Sequence, residues 1–133
     1  MGIDHRLHGC ELPRVLQALG LALQLVSTVF IMWVFHENSF AAPLVKVQRE
    51  RVHHVIDSGP YAFVRHPMYT GAIVFFIGIP LLLGSPWGLI AVPLLALMFA
   101  FRIIIEERTL RAGLDGYIDY TSRVRYRLLP GIW

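Results

Sequence analysis

The sequence predicts an all-α membrane protein of about three transmembrane helices: one span, then a helical hairpin, with a cytoplasmic loop and a C-terminal interfacial helix. Three observations carry this. Residues 15–35 hold no charged side chain, residues 67–101 hold none either, and Gly84-Ser85-Pro86 interrupts the second run near its middle. A bilayer core of roughly 30 Å needs about 20 apolar residues per helix, so the first run makes one span and the second makes two. The composition agrees. With 56% hydrophobic residues and a mean hydropathy of +0.57, the chain is too apolar for an ordinary soluble domain. Its 133 residues are read as one domain.

Residues 1–14 form a lead-in. His5, His8 and Cys10 lie close together there, but three ligands on a short glycine-containing segment are weak evidence for a metal, and a polar lead-in is the better reading. Residues 15–36 make the first span, with Trp33 as an interfacial anchor near its inner end. Ser39-Phe40-Ala41 invites comparison with a cleaved signal. The apolar run exceeds the roughly 7 to 15 residues of a signal core and most positive charge follows it, so an uncleaved helix is expected. Residues 37–66 form the loop. Its 43–56 portion alternates in part and reads as a short strand pair or irregular backbone, and the adjacent His53 and His54 read as solvated. Asp57-Ser58-Gly59-Pro60 is a turn signal. Pro67 suits a first helical position, so the second span covers 67–84, with a kink at Pro80. Gly71 and Gly78, seven apart, share one face where a neighbouring helix or a ligand can approach closely. The third span, 87–112, has no breaker before Gly113 and reaches about 37 Å, enough to project into the cytoplasm. In the 113–133 cap, Tyr117, Tyr120 and Val124 recur at helical spacing. They fit an interfacial helix over the site, with Trp133 at the headgroups.

The net charge of +3 comes from 12 basic and 9 acidic residues. Lys46, Arg49, Arg51 and Arg65 precede the hairpin, and Arg108, Arg111, Arg123, Arg125 and Arg127 follow its end, which places the loop and the C-terminal tail in the cytoplasm. No zinc-finger spacing or base-reading basic helix occurs, so nucleic acid is not a partner, and anionic lipid headgroups suit these arginines better. Cys10 is the only cysteine, which excludes an intrachain disulfide and a cysteine-built zinc cage. No metal site is predicted.

The densest stretch is 59–71, Gly-Pro-Tyr-Ala-Phe-Val-Arg-His-Pro-Met-Tyr-Thr-Gly. Pro67 puts Arg65 and His66 at a helix mouth, where unpaired backbone N–H groups and the helix dipole favour an anion. Arg102, Glu106 and Glu107 arrive at the same membrane depth from the third span. Arg102 and Glu106 are four apart and can pair, while Glu107 points elsewhere and stays available. Charges at that depth read as functional.

Together Gly59-Pro60-Tyr61, Arg65-His66-Pro67-Met68-Tyr69-Thr70-Gly71, Glu106-Glu107, and Gly116-Tyr117 with Tyr120, Val124 and Pro130 resemble a known family. It is the membrane-embedded methyltransferases related to isoprenylcysteine carboxyl methyltransferase and phosphatidylethanolamine N-methyltransferase. The likeness covers 37–133 well and the first helix loosely. It implies an S-adenosylmethionine-dependent methyltransferase acting on a carboxyl or amine group of a lipid-like acceptor. By motif, His66, Tyr69, Gly71, Glu106, Glu107, Tyr117 and Tyr120 would line the cofactor site, and Arg65 and Glu107 would carry catalysis. No Gly-x-Gly occurs, so a nucleotide would bind without a Rossmann loop. Many relatives carry further membrane helices before the matched part, so the chain is expected to be a shortened form. A homo-oligomer is compatible with these features. The alternative is a non-catalytic membrane protein keeping the motif for lipid binding or subunit assembly.

Overall fold

The computed structural model describes residues 12–38 and 55–133. The lead-in with His5, His8 and Cys10, most of the 43–56 portion and the His53-His54 pair lie outside the described residues. Among the described residues every regular element is helical. These are α1 (Arg14–Glu37), a 3-10 turn (Gly59–Ala62), α2 (Pro67–Leu82), a second 3-10 turn (Pro86–Ile90), α3 (Ala91–Gly113) and α4 (Tyr117–Arg123).

Two segments are long and apolar enough to cross a membrane: α1, with 24 residues, and the continuous Pro86–Gly113 helix, with 28. The α2 helix is apolar but has only 16 residues, ending at Leu82 rather than at the expected 84. Its stop has a local cause. Gly84 adopts φ +67, a left-handed conformation that glycine takes without a Cβ penalty, and the Gly84 and Ser85 N–H groups bond back to Leu81 and Pro80. At the other end Pro67 occupies the first turn, as the sequence requires, with His66 as the residue before it.

The α1 and α2 helices run antiparallel in close contact. The buried residues of α1 are Gly20, Ser27 and Val34, one every seven positions, a spacing that keeps a single stripe against a partner helix. Opposite them, α2 offers Gly78 and Gly71. A Cβ on Gly20 would fall 2.8 Å from the Gly78 carbonyl oxygen, and one on Gly71 would fall 2.7 Å from Ile31 Cγ1. Small residues on both helices thus let the backbones meet, and Gln24 adds a bond from Nε2 to the Phe75 carbonyl at 3.0 Å. By contrast most large apolar side chains of α3, among them Leu94, Leu97, Met98 and Phe101, are exposed, as suits a lipid-facing helix.

Beyond Gly113 the chain turns back. Gly116, at φ +80, reverses it into the seven-residue α4, and Tyr117, Tyr120 and Val124 then pack together beneath Val55, Leu110 and Leu114. Tyr117 and Tyr120 lie on α4 as their spacing requires, whereas Val124 is the extended residue that follows the helix. Trp133 does not project outward: it lies under the Arg127 guanidinium, 4.9 Å from the carbon to the ring centroid. The C-terminal segment also pairs with the start of α2, through Arg65 N–H to the Tyr126 carbonyl and His66 N–H to the Arg127 carbonyl, each at 2.9 Å.

Candidate functional site

Three pieces of chain converge at the start of α2. The 3-10 turn and the link from it to α2 bring Tyr61, Arg65 and His66; the lower part of α3 brings Arg102, Glu106 and Glu107; and α4 with the segment after it brings Tyr117, Tyr120 and Arg127. Arg65, His66, Tyr69, Glu107, Tyr117 and Tyr120 are all buried. Ionised groups at that depth are tolerated only when matched, and Glu107 is the match.

Glu107 is the hub. Its Oε1 lies 3.1 Å from Arg65 Nε and 3.3 Å from His66 Nε2, and its Oε2 accepts from Arg127 Nε at 3.2 Å. Because a carboxylate only accepts, the His66 contact requires the proton on Nε2. The Arg65 contact is an ion pair without hydrogen-bond geometry, so the buried Arg65 Nε–H finds no acceptor. Glu107 does point away from Arg102, as its place on the helix demands. It is not available, however, since three cationic or imidazole groups already hold it.

The expected pairing of Arg102 with Glu106 is indirect. Arg102 Nε donates to the Tyr69 hydroxyl at 2.8 Å, and that hydroxyl donates to Glu106 Oε2 at 2.8 Å. Tyr69 is placed for this by packing on Phe99, ring centroids 5.1 Å apart. Across the cluster the guanidinium groups of Arg65, Arg102 and Arg127 face the carboxylates of Glu106 and Glu107, so three positive charges meet two negative ones before any charge on His66. The surplus favours an anionic group.

A place for such a group exists. Asn38, Tyr61, Arg65, Leu114, Tyr117 and Tyr120 are among the residues lining a cavity of about 50 Å³. Among the described residues, two buried side-chain polar atoms lack a hydrogen-bond partner, Arg65 Nε and the Tyr117 hydroxyl, and both residues line this cavity. Burial is the main cause that raises the Tyr117 and Tyr120 phenols above the ordinary value of 10.0, so both stay neutral donors. Tyr120 spends its donor on the Tyr61 carbonyl at 2.8 Å, and Tyr117 keeps its own.

Of the expected site residues, Arg65, Tyr117 and Tyr120 line this cavity, His66, Tyr69, Glu106 and Glu107 form the polar cluster without lining it, and Gly71 lies apart from both. Gly71 faces α1, where Ile31 and Phe30 occupy the space that a side chain would need, so it serves helix packing rather than the cavity. Conversely, Arg127 and Tyr61 join the cluster although the sequence did not single them out as site residues. Arg127 looks like any other member of the 123, 125, 127 basic series, and only the folded path of the tail separates it from its neighbours.

Comparison with known proteins adds an independent line. Residues 15–114 match the family model described as phospholipid methyltransferase. Protein-S-isoprenylcysteine O-methyltransferase B of Arabidopsis thaliana is 34% identical over 83 residues, covering 61% of this chain and 42% of that protein. Protein-S-isoprenylcysteine O-methyltransferase of Saccharomyces cerevisiae is 35% identical over 83 residues, covering 61% of this chain and 35% of that protein. The solved structure of a eukaryotic intramembrane Ras methyltransferase, an isoprenylcysteine carboxyl methyltransferase, superposes with a TM-score of 0.77 at 30% identity, covering 88% of this chain and 43% of that one. The chain thus spans less than half the length of each of these relatives. Together with two apolar helices of spanning length, these likenesses identify an integral membrane protein.

Proposed function

The chain belongs to the phospholipid methyltransferase family, and we propose that it transfers a methyl group from S-adenosylmethionine to a carboxyl group of a lipid-like acceptor at the α2–α3–α4 junction. The observation that carries this reading is a pair of buried donors without a hydrogen bond, Arg65 Nε–H and the Tyr117 hydroxyl, on two residues that line one small cavity. Buried donors without acceptors are costly, by roughly 1–3 kcal/mol each, so a site that keeps two of them suits a ligand that supplies the acceptors. The amino-acid carboxylate of the methyl donor is such a group, and about 50 Å³ suits a group of that size. Admission of the nucleoside requires α4 to move.

The bound cofactor supplies a methyl carbon already activated on a sulfonium, so the protein's task is alignment and exclusion of water. Arg65 and Tyr117 hold the carboxylate end. The Tyr117, Tyr120 and Val124 cluster, with Tyr120 tied to Tyr61, closes the cytoplasmic side. Both oxygens of Glu107 are engaged by Arg65, His66 and Arg127, so this carboxylate is held as the counter-ion of a cationic cluster rather than placed to take a proton from an incoming ammonium. A carboxyl acceptor needs no base: its ionised oxygen forms the new C–O bond as the C–S bond breaks, and the sulfonium becomes a neutral thioether. That is why a carboxyl acceptor is preferred here over an amine. The isoprenylcysteine O-methyltransferase relatives support the same choice.

In this reading α1, α2 and the Pro86–Gly113 helix all cross the bilayer, and α4 lies at the cytoplasmic interface. A membrane-impermeant thiol reagent should then label Ile132→Cys in a Cys10→Ser background only when the cytoplasmic face is exposed; labelling from the opposite face refutes the orientation. The activity is tested with methyl-labelled S-adenosylmethionine and detergent-solubilised chain, offering a prenylated cysteine, a fatty acid and an aminolipid. Label is expected in a base-labile ester of the first or second. Label confined to the aminolipid, or to none, contradicts the proposal.

A further inference from the structure

Arg127 holds a position that the methyl-transfer reading does not by itself explain. Its Nε–H donates to Glu107 Oε2 at 3.2 Å, and its guanidinium rests on the Trp133 ring at 4.9 Å. Its backbone N–H donates to the Trp133 carbonyl at 2.7 Å, that of Leu128 donates to the same oxygen at 3.0 Å, and its own carbonyl accepts from His66 N–H at 2.9 Å. The tail is thus folded into a closed loop through Gly131, at φ +84, that locks one arginine against the hub carboxylate. At the same carboxylate Arg65 Nε lies 3.1 Å from Oε1 yet makes no hydrogen bond. The two arginines approach different oxygens of one carboxylate, Arg65 at Oε1 and Arg127 at Oε2, and of the two contacts the Arg127 one has hydrogen-bond geometry, so it sets how the carboxylate is turned toward Arg65.

We infer that Arg127, held by Trp133, is a positioning residue that keeps Arg65 Nε–H free for the ligand by restraining Glu107. Without Arg127 the carboxylate can rotate and close a true hydrogen bond onto Arg65, a charge-assisted contact stronger than most neutral ones. Arg65 would then be withdrawn from the cavity. This rests on the proposal that Arg65 receives the carboxylate of the methyl donor, and it extends that proposal to a residue that touches no ligand itself.

The test compares two ligands that share a nucleoside and a sulfur but differ in the amino-acid carboxylate: S-adenosylhomocysteine, which has it, and 5′-methylthioadenosine, which lacks it. Affinities are measured in detergent for wild type, Arg127→Ala, Arg127→Lys, Trp133→Ala and Trp133→Phe, together with each variant's melting temperature. The expected result is that Arg127→Ala and Trp133→Ala weaken S-adenosylhomocysteine about tenfold and leave 5′-methylthioadenosine unchanged. Arg127→Lys and Trp133→Phe should recover part of the loss. Equal weakening of both ligands, as a merely structural tail would give, overturns the inference, and so does an unchanged affinity for S-adenosylhomocysteine in Arg127→Ala. Failure of the wild type to bind either ligand would instead overturn the methyl-donor reading and this inference with it. Arg127→Ala protein too unstable to purify, with Trp133→Ala stable and wild-type in its ligand preference, also counts against it.

Discussion

At the scale of single residues the site is a contest for one carboxylate. Glu107 satisfies His66 and Arg127 with hydrogen-bonding geometry and leaves Arg65 Nε ion-paired but without a hydrogen bond, while Tyr117 keeps an unspent hydroxyl. Replacing Tyr117 by Phe removes a buried, unsatisfied group of nearly the same shape. It should therefore leave stability unchanged or raise it, by up to about 1–3 kcal/mol, while weakening S-adenosylmethionine binding about tenfold. Chemical denaturation and titration calorimetry on the same sample check both halves. The buried phenols also predict a pH response. Tyr117 and Tyr120 have folded-state values above the ordinary 10.0, chiefly through burial, so between that value and their raised ones the folded chain holds more protons than the unfolded chain. Their contribution to stability is complete below about pH 10 and falls as pH rises beyond it. Absorbance at the phenolate band should show Tyr117 and Tyr120 ionising only as the α4 helix signal is lost.

At the scale of elements, punctuation was legible and use was not. Pro67, Gly113 and the Asp57-Ser58-Gly59-Pro60 turn each mark a boundary that backbone chemistry imposes locally, and the helices start and stop there. The α2 end moved from 84 to 82 because the left-handed Gly84 closes the helix early, which hydropathy does not register. Gly71 and Gly78 were rightly placed on one face, but whether a helix or a ligand fills the space beside them depends on α1, more than 30 positions away in sequence. The structure puts α1 there at both positions. Gly78→Leu should accordingly separate α1 from α2 and cost about 1–3 kcal/mol or more, seen as a lower melting temperature in detergent. An unchanged melting point would show that the close approach of the two backbones is not what holds them together.

At the scale of the whole molecule, an antiparallel α1–α2 pair and a loosely attached, lipid-facing α3 support a polar junction at one end. The tail is folded over that junction, through Arg65 N–H to the Tyr126 carbonyl and His66 N–H to the Arg127 carbonyl. The residues of the cluster come from positions 61 to 127, so motif spacing could gather Arg65, His66, Tyr69, Glu106 and Glu107, while Arg127 and the orphaned state of Arg65 depend on the tertiary path of the tail. The central claim is that this junction holds S-adenosylmethionine through Arg65. Titration of S-adenosylmethionine into the chain in lipid nanodiscs, beside an Arg65→Lys variant of equal melting temperature, tests it most directly. The account predicts saturable one-site heat for the wild type and affinity reduced at least about tenfold in the variant, since lysine loses the guanidinium Nε–H. Wild-type protein that gives no heat, or a variant that binds as tightly as wild type, would contradict it.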